Sequence, residues 1–332
     1  MLFASIPSPP DNVIEIGPLT VHYYGILIGI GVALAVVITS RRYAKFGGDS
    51  AMLDRALLWV VAIGFVGARL AYVSTHTARY EGRWYATLFI WEGGLALYGG
   101  LFAGTLTAIY LMRKWHGDIW AFGDAAAIGI PVAQAIGRFG NYFNQELFGT
   151  PTTLPWGLEI DAARRPAEYV NFETFHPTFL YEALWNLLIT VPVILWLERK
   201  GRLAKGSSIA LYAILYGSIR FLTELIRTDT TFRFLGLSRN GWVSLGAVAL
   251  GIGLFIWRQR LGLPQVVVPE GVPDDAPEAP GPAEPTGAGE ALGAAVPAEV
   301  ADAAEAATNA GTPDPDSVAD DPEPTPDSAD DP

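Results

Sequence analysis

Apolar stretches recur along the first 260 residues, near 19–39, 53–74, 88–111, 119–137, 178–196, 207–226 and 241–258. Each approaches the length at which a helix crosses the hydrocarbon core, about 20 residues. The pattern predicts an all-α integral membrane protein with about seven transmembrane helices. The segment 138–177, between the fourth and fifth stretches, is far longer than the other connections, and such segments are usually functional or disordered. Its Trp156, Leu158, Ile160, Tyr169 and Phe172, with turn-forming Pro151, Pro155 and Pro166, favour a small folded cap on the outer face. Met1 to Pro18 carries Asp11 and Glu15 but neither Lys nor Arg nor an apolar core, so it does not read as a cleavable signal peptide. The first span is expected to direct insertion itself.

Residues 261–332 are a different material. They hold 17 of the 34 acidic residues, none of the 22 Lys and Arg, and no aromatic side chain. The preceding sequence is therefore +5 and the tail −17, so the overall −12 describes mainly the tail. Rich in Pro, Ala, Gly, Asp and Glu, the tail cannot bury enough apolar surface to offset chain entropy, and it is expected to be a disordered, solvated acidic spacer. The chain thus divides into a membrane-embedded catalytic domain, 1–260, and an acidic tail, 261–332. Basic residues that flank spans favour the cytoplasm. Eleven fall on one side (Arg41, Arg42, Lys45, Arg113, Lys114, Arg199, Lys200, Arg202, Lys205, Arg258 and Arg260) and seven arginines on the other. This bias puts the N-terminus outside and the tail in the cytoplasm. The absence of Cys excludes a cysteine nucleophile or a thiolate metal site.

Charged side chains at hydrocarbon depth cost roughly 3 kcal/mol each on insertion scales and mark function by default. Residues 137–149 read Gly137-Arg138-Phe139-Gly140-Asn141-Tyr142-Phe143-Asn144-Gln145-Glu146-Leu147-Phe148-Gly149, an unusual density of polar groups against the end of an apolar span. With the topology above, Tyr24, Arg69, Glu92, Gly93, Gly94, Tyr98 and Arg138 fall toward the outer side, while Asp124 lies deeper. Arg220, Glu224 and Arg227 share one face of the sixth span, at i, i+4 and i+7. Arginines on the side where basic residues are disfavoured point to an anion from the outer leaflet, and guanidinium forks bind phosphate oxygens bidentately. A structural reading competes: Arg220 and Arg227 sandwich Glu224, and Arg138 pairs with Glu146 or Asp124. Against it, Arg69, Arg138, Arg220 and Arg227 outnumber Glu92, Glu146 and Glu224 by one. Gly100 and Gly104 suit close helix packing. Gly93 and Gly94 suit either packing or a bent backbone that offers N–H groups to an anion or a lipid ester. Gly137, Gly140 and Gly149 suggest an interrupted helix end, and His176 an interface hydrogen-bonder rather than a base.

The segment from Gly137 to Gly149 resembles the signature of the bacterial prolipoprotein diacylglyceryl transferases, Gly-Arg-x-Gly-Asn-(aromatic)-x-Asn-x-Glu-x-x-Gly. His22-Tyr23-Tyr24-Gly25, Trp91-Glu92-Gly93-Gly94, His176-Pro177-Thr178-x-x-Tyr181-Glu182 and Arg220-Phe221-x-x-Glu224-x-x-Arg227 are similar, in order, to the family's motifs in the first, third, fifth and sixth spans. The resemblance implies a multi-pass protein of the bacterial plasma membrane. It further implies transfer of the diacylglyceryl group of phosphatidylglycerol to the lipobox cysteine of a preprolipoprotein signal peptide, forming a thioether and releasing glycerol 1-phosphate. On that basis Arg138 and Arg220 clamp the phosphate and Glu146 belongs to the catalytic set. Asn141 and Asn144 shape the headgroup site, with Tyr24, Gly93, Gly94, Gly149, Glu224 and Arg227 around the lipid.

Two positions depart from the family pattern. Tyr98 stands where many members have a histidine cast as the base for the thiol, and Phe179 where glutamine is common. A phenol with an ordinary pKa near 10 is a donor at neutral pH rather than a base. Either another group takes the thiol proton, or nearby arginines lower the cysteine pKa enough that no dedicated base is needed. The four histidines, His22, His76, His116 and His176, are scattered, so no metal is expected, nor any other cofactor or nucleic-acid partner. A secondary transporter of an anionic substrate is the rival, but the internal repeat of spans common in transporters is not evident. An intramembrane serine protease lacks a histidine inside a span to activate Ser218.

Overall fold

The computed structural model describes residues 5–17, 19–89, 93–229 and 233–265. The expected disorder of the tail and the role of Glu92 lie outside them. A short antiparallel hairpin, β1 (Val13–Ile16) and β2 (Leu19–His22), precedes the first helix, with Val13 opposite His22. Helices follow as α1 (Tyr23–Lys45), α2 (Ser50–Thr75), α3 (Leu97–Lys114) and α4 (Ile119–Asn144). After a compact segment come α5 (Thr178–Trp185), a π turn (Asn186–Thr190) and α6 (Val191–Arg199), which form one kinked span. The chain then builds α7 (Ser207–Ile226) and α8 (Arg239–Leu261).

Six described helices are long and apolar enough to cross a membrane. Large apolar side chains face outward along them, Leu58 at 72%, Leu70 at 64% and Leu250 at 77% exposure, an apolar exterior that suits lipid rather than water. This is an all-α integral membrane protein.

Three span boundaries differ from the sequence reading, one because α4 runs without interruption through Gly137 and Gly140 to Asn144 instead of ending near 137. Residues 19–22, assigned to the first span, form β2 instead, and the helix starts at Tyr23. In the stretch 88–111 the α-helix begins at Leu97, because Gly93 and Gly94 adopt φ of +78° and +84°, which an α-helix cannot pass through. The result is α3, with 18 residues the shortest of the long helices and not among the six.

The helices pack as antiparallel pairs through small residues. In the α1–α4 seam Gly31 lies on the backbone of Ala133 and Gly129 on that of Ala35. Between α2 and α3, a Cβ on Gly67 or Gly99 would collide with the other helix, while Gly100 and Gly104 face Gly64 and Val60, as expected of packing glycines. Between α7 and α8, Gly217 meets Ser244 and Gly251 meets Ala210.

Helix ends are capped by side chains. Asp49 caps α2, Asp118 caps α4, and the Ser238 hydroxyl caps α8 by accepting from Gly241 N at 3.0 Å. Asp124 of α4 caps α7 from outside, accepting from the amides of Gly206, Ser208 and Ile209 at 2.6, 2.9 and 3.2 Å. It therefore sits at the opposite end of α4 from Arg138 and is not its counterion.

Residues 145–177 fold into a small unit. Strands β3 (Leu158–Glu159) and β4 (Thr174–Phe175) pair antiparallel, and Phe148, Leu158, Ile160, Phe175 and Phe179 form a buried cluster. The Gln145 side chain closes a ring with Asp161, donating to its carboxylate at 2.6 Å and accepting its amide at 2.8 Å. The Gln145 bond, with a second from Ser8, holds the Asp161 carboxyl below its ordinary pKa.

Candidate functional site

The C-terminal turn of α4 delivers the signature residues. Glu146 Oε1 accepts from Asn141 Nδ2 at 2.9 Å and from Asn144 Nδ2 at 3.2 Å, so two amides and a carboxylate of the signature meet at one oxygen. Gln145 takes the left-handed conformation that ends the helix and turns Glu146 back over it. Tyr24 of α1 lies flat against Gly140, where any Cβ would fall on its ring.

Arg138 does not pair with Glu146. Its Nη2 contacts Glu182 Oε2 of α5 at 2.5 Å and reaches the Tyr216 hydroxyl at 3.5 Å, while Nη1 reaches Asn141 at 3.5 Å. Arg220 Nη1 approaches the other oxygen of the same carboxylate at 3.6 Å, and its Nη2 binds Glu224 at 2.8 Å. The Thr223 hydroxyl donates to Glu182 at 3.0 Å, and the Ser238 hydroxyl that caps α8 donates to Glu224 at 2.7 Å. Arg227 is held by Asp229 through Nε at 2.8 Å and Nη2 at 2.5 Å, with Glu224 3.8 Å away.

This arrangement corrects the charge count. Glu182 and Asp229, left out of it, balance the arginines: Arg138, Arg220 and Arg227 face Glu182, Glu224 and Asp229, and no cationic excess remains in the cluster. The case for an anion site rests instead on presentation. The side chains of Glu182 and Glu224 are only 2% and 3% exposed, whereas Arg138 and Arg220 keep 16% and 13%. The carboxylates are thus the more deeply buried members, and the two arginine side chains they hold keep the remaining exposure. Arg227 is 4% exposed, with its fork on Asp229. Glu224 lies against Arg220.

Arg69 lies apart from the cluster. Its guanidinium donates to the carbonyls of Thr87, Ala86, Phe89 and Gly94 at 2.7 to 3.0 Å, and to that of Gly93. Gly93 and Gly94 thus supply the bent backbone that was expected, but they turn their carbonyls to a cation within the fold. Arg69→Met should lower the thermal midpoint by the equivalent of about 2 kcal/mol or more and speed proteolysis between α2 and α3, since hydrogen bonds from a charged donor contribute roughly 1.5–3 kcal/mol each. Unchanged proteolysis would refute the clasp.

Gly149 is a point of close approach. Its amide donates to His176 O at 2.9 Å, and a Cβ there would crowd His176 and the carbonyl of Ile226. The signature glycine therefore joins the compact unit to the end of α7. His176 pairs with the Tyr181 hydroxyl at 3.0 Å, and burial lowers its pKa, in keeping with a neutral interface residue.

The Tyr98 hydroxyl, on the first turn of α3, donates to Asn240 Oδ1 of α8 at 2.9 Å, two residues from Ser238. It is a donor, as its chemistry requires, and its partner is the protein. Tyr98→Phe should reduce turnover by no more than about tenfold, roughly 1.4 kcal/mol, the value of one neutral hydrogen bond. A thousandfold loss in a folded variant, measured from pH 6 to 9, would make the phenol oxygen a participant in proton transfer.

Glu182 stands in the fifth-span motif but its role is missed from the sequence, as are Tyr216, Asp229 and Ser238 altogether. Glu182 carried a signal, being an acidic residue one turn into an apolar span. Ser238 and Asp229 carried none, because their partners are set by the fold beyond the sixth span.

The family model for prolipoprotein diacylglyceryl transferase matches residues 11–257. The chain is 44% identical over 256 residues to phosphatidylglycerol–prolipoprotein diacylglyceryl transferase 2 of Streptomyces coelicolor, covering 75% of this chain and 80% of that protein. It is 44% identical over 247 residues to the phosphatidylglycerol–prolipoprotein diacylglyceryl transferase of Frankia alni, covering 74% and 65%, and 39% identical over 281 residues to that of Bifidobacterium adolescentis, covering 79% and 82%.

Proposed function

We propose that this chain, which belongs to the prolipoprotein diacylglyceryl transferase family, moves the sn-1,2-diacylglyceryl group of phosphatidylglycerol onto the lipobox cysteine of a preprolipoprotein. The sulfur–carbon bond forms as the bond from the glyceryl carbon to the phosphate oxygen breaks. Glycerol 1-phosphate leaves, and the thiol proton passes to solvent or to the departing phosphate. The transporter alternative finds no counterpart among the relatives named above.

The observation that carries this reading is the Arg138–Glu182–Arg220 arrangement, in which one buried carboxylate holds two partly exposed arginine side chains together. Such a pair suits a phosphate diester whose charge grows as the ester bond breaks, and fixed donors aimed at developing charge give the largest catalytic effects. The same positive groups stabilise a thiolate, so Tyr98 need not act as a base. The Asn141–Asn144–Glu146 triad offers the polar contacts that a glycerol headgroup needs. In this reading the compact unit and the arginine cluster face the outer leaflet of the bacterial plasma membrane, α3 completes seven spans, and the acidic tail is cytoplasmic.

The test is reconstitution of the purified full chain with phosphatidylglycerol and a lipobox peptide. A diacylglyceryl thioether with stoichiometric glycerol 1-phosphate is expected. Its absence from a folded, inserted protein would sink the assignment.

A further inference from the structure

A polar seam descends from the arginine cluster into the bundle. On the kinked span, Glu182, Asn186 and Thr190 follow one another at four-residue steps and are 1%, 0% and 0% exposed. On α4, Gln134 lies one turn below Arg138, and its Oε1 accepts from Asn186 Nδ2 at 3.4 Å. The step from Asn186 to Thr190 is a π turn, and the sequence explains it. Pro192 has no amide to donate toward Leu188, so the α-helical ladder breaks in the preceding turn. π turns of this kind recur at functional sites.

Below Glu182, whose Oε2 meets Arg138 as an ion pair only, two atoms in the seam have no hydrogen-bond partner among the described residues. They are Asn186 Oδ1 and Thr190 Oγ1, both fully buried and on the same turn. Buried polar atoms in folded proteins are almost always satisfied, by protein or by ordered water. An acceptor and a hydroxyl this close in chain register match the two to four polar partners that an internal water takes.

We propose that Asn186 and Thr190 form a buried water-binding site that fixes the register of the kinked span against α4 and so positions Glu182 against Arg138. The water donates to Asn186 Oδ1 and exchanges a hydrogen bond with Thr190. Asn186, oriented from that side, presents Nδ2 to Gln134. The contact one turn above, Arg138 to Glu182, inherits the alignment. Asn186 and Thr190 are positioning residues and touch no substrate. The kinetic part of the proposal rests on the transferase reading, whereas the water site itself does not.

Thr190→Val keeps shape and removes the hydroxyl. In phosphatidylglycerol vesicles with a lipobox peptide, it is expected to lower kcat about tenfold with KM and thermal midpoint unchanged, the fold-change of one lost hydrogen bond in a network. Thr190→Ser should restore kcat. Wild-type kcat with a raised midpoint in Thr190→Val would overturn the proposal, as removal of a dry, unsatisfied hydroxyl predicts. A fall in kcat matched by a fall in midpoint would overturn it too, as a packing defect. A high-resolution experimental map of the wild-type chain in lipid nanodiscs decides the matter if the valine variant fails to insert. Density bridging Asn186 Oδ1 and Thr190 Oγ1 supports the site, and a direct contact between the two side chains refutes it. Such density in a wild-type protein that makes no thioether would sink the transferase reading and leave the water site standing.

Discussion

Arg138→Ala and Arg220→Ala should each lower the rate of thioether formation by on the order of a thousandfold, about 4 kcal/mol of transition-state stabilisation, with insertion unchanged. The magnitude follows from placement. Both arginine side chains are more than four-fifths buried, so charge developing on the phosphate meets them at low effective dielectric. Insertion should survive, because Glu182 keeps the Thr223 hydroxyl and the remaining arginine when either is removed. Lysine should recover little at either position, since its single ammonium cannot hold a carboxylate behind and a phosphate in front in the manner of a planar fork. The measurement is single-turnover modification of a lipobox peptide at saturating phosphatidylglycerol. Near-normal rates in either alanine variant would dissolve the clamp.

Much of the scaffold was legible because membrane spans announce themselves by length and apolarity alone. The spans that begin at Ser50, Ile119, Thr178, Ser207 and Arg239 start within a few residues of expectation. The errors fall where backbone conformation overrides composition. Leu19 to His22 are apolar enough to continue a helix but pair with Val13 to Ile16 as a strand, and Gly93 and Gly94 stop α3 short of the stretch that hydropathy assigned to it. The site was legible in its residues but not in its pairings. The signature brought Asn141, Asn144 and Glu146 together because all three lie within six residues of one helix end. The counterion of Arg138 was misassigned because Glu182 is 44 positions away in sequence, and only the packing of α4 against α5 makes it a neighbour. Arg69 shows the converse. Arginine on the outer side of a span reads as an anion site, yet its donors meet a ring of carbonyls that no residue pattern reveals.

Glu182→Gln should be the most damaging change of a residue outside the presented face. The side chain is 2% exposed and lies between two arginines, 2.5 Å from Arg138 and 3.6 Å from Arg220. Glutamine preserves shape and an acceptor for Thr223 but leaves two buried guanidinium groups facing a neutral amide whose NH₂ end repels one of them. Removing one partner of a buried ion pair typically costs about 3–5 kcal/mol, because the charge left behind is uncompensated. The loss should appear both as a lower thermal midpoint in lipid nanodiscs and as a steep fall in transferase rate. Pairing it with Arg138→Gln separates the two causes. If Glu182 acts by holding Arg138, the double variant should be more stable than the sum of the single effects predicts, by at least about 1 kcal/mol, since removing the second charge relieves the first defect. Strict additivity would show that Glu182 and Arg138 do not act as a unit, and an unchanged midpoint in Glu182→Gln would show that the arginines need no carboxylate behind them.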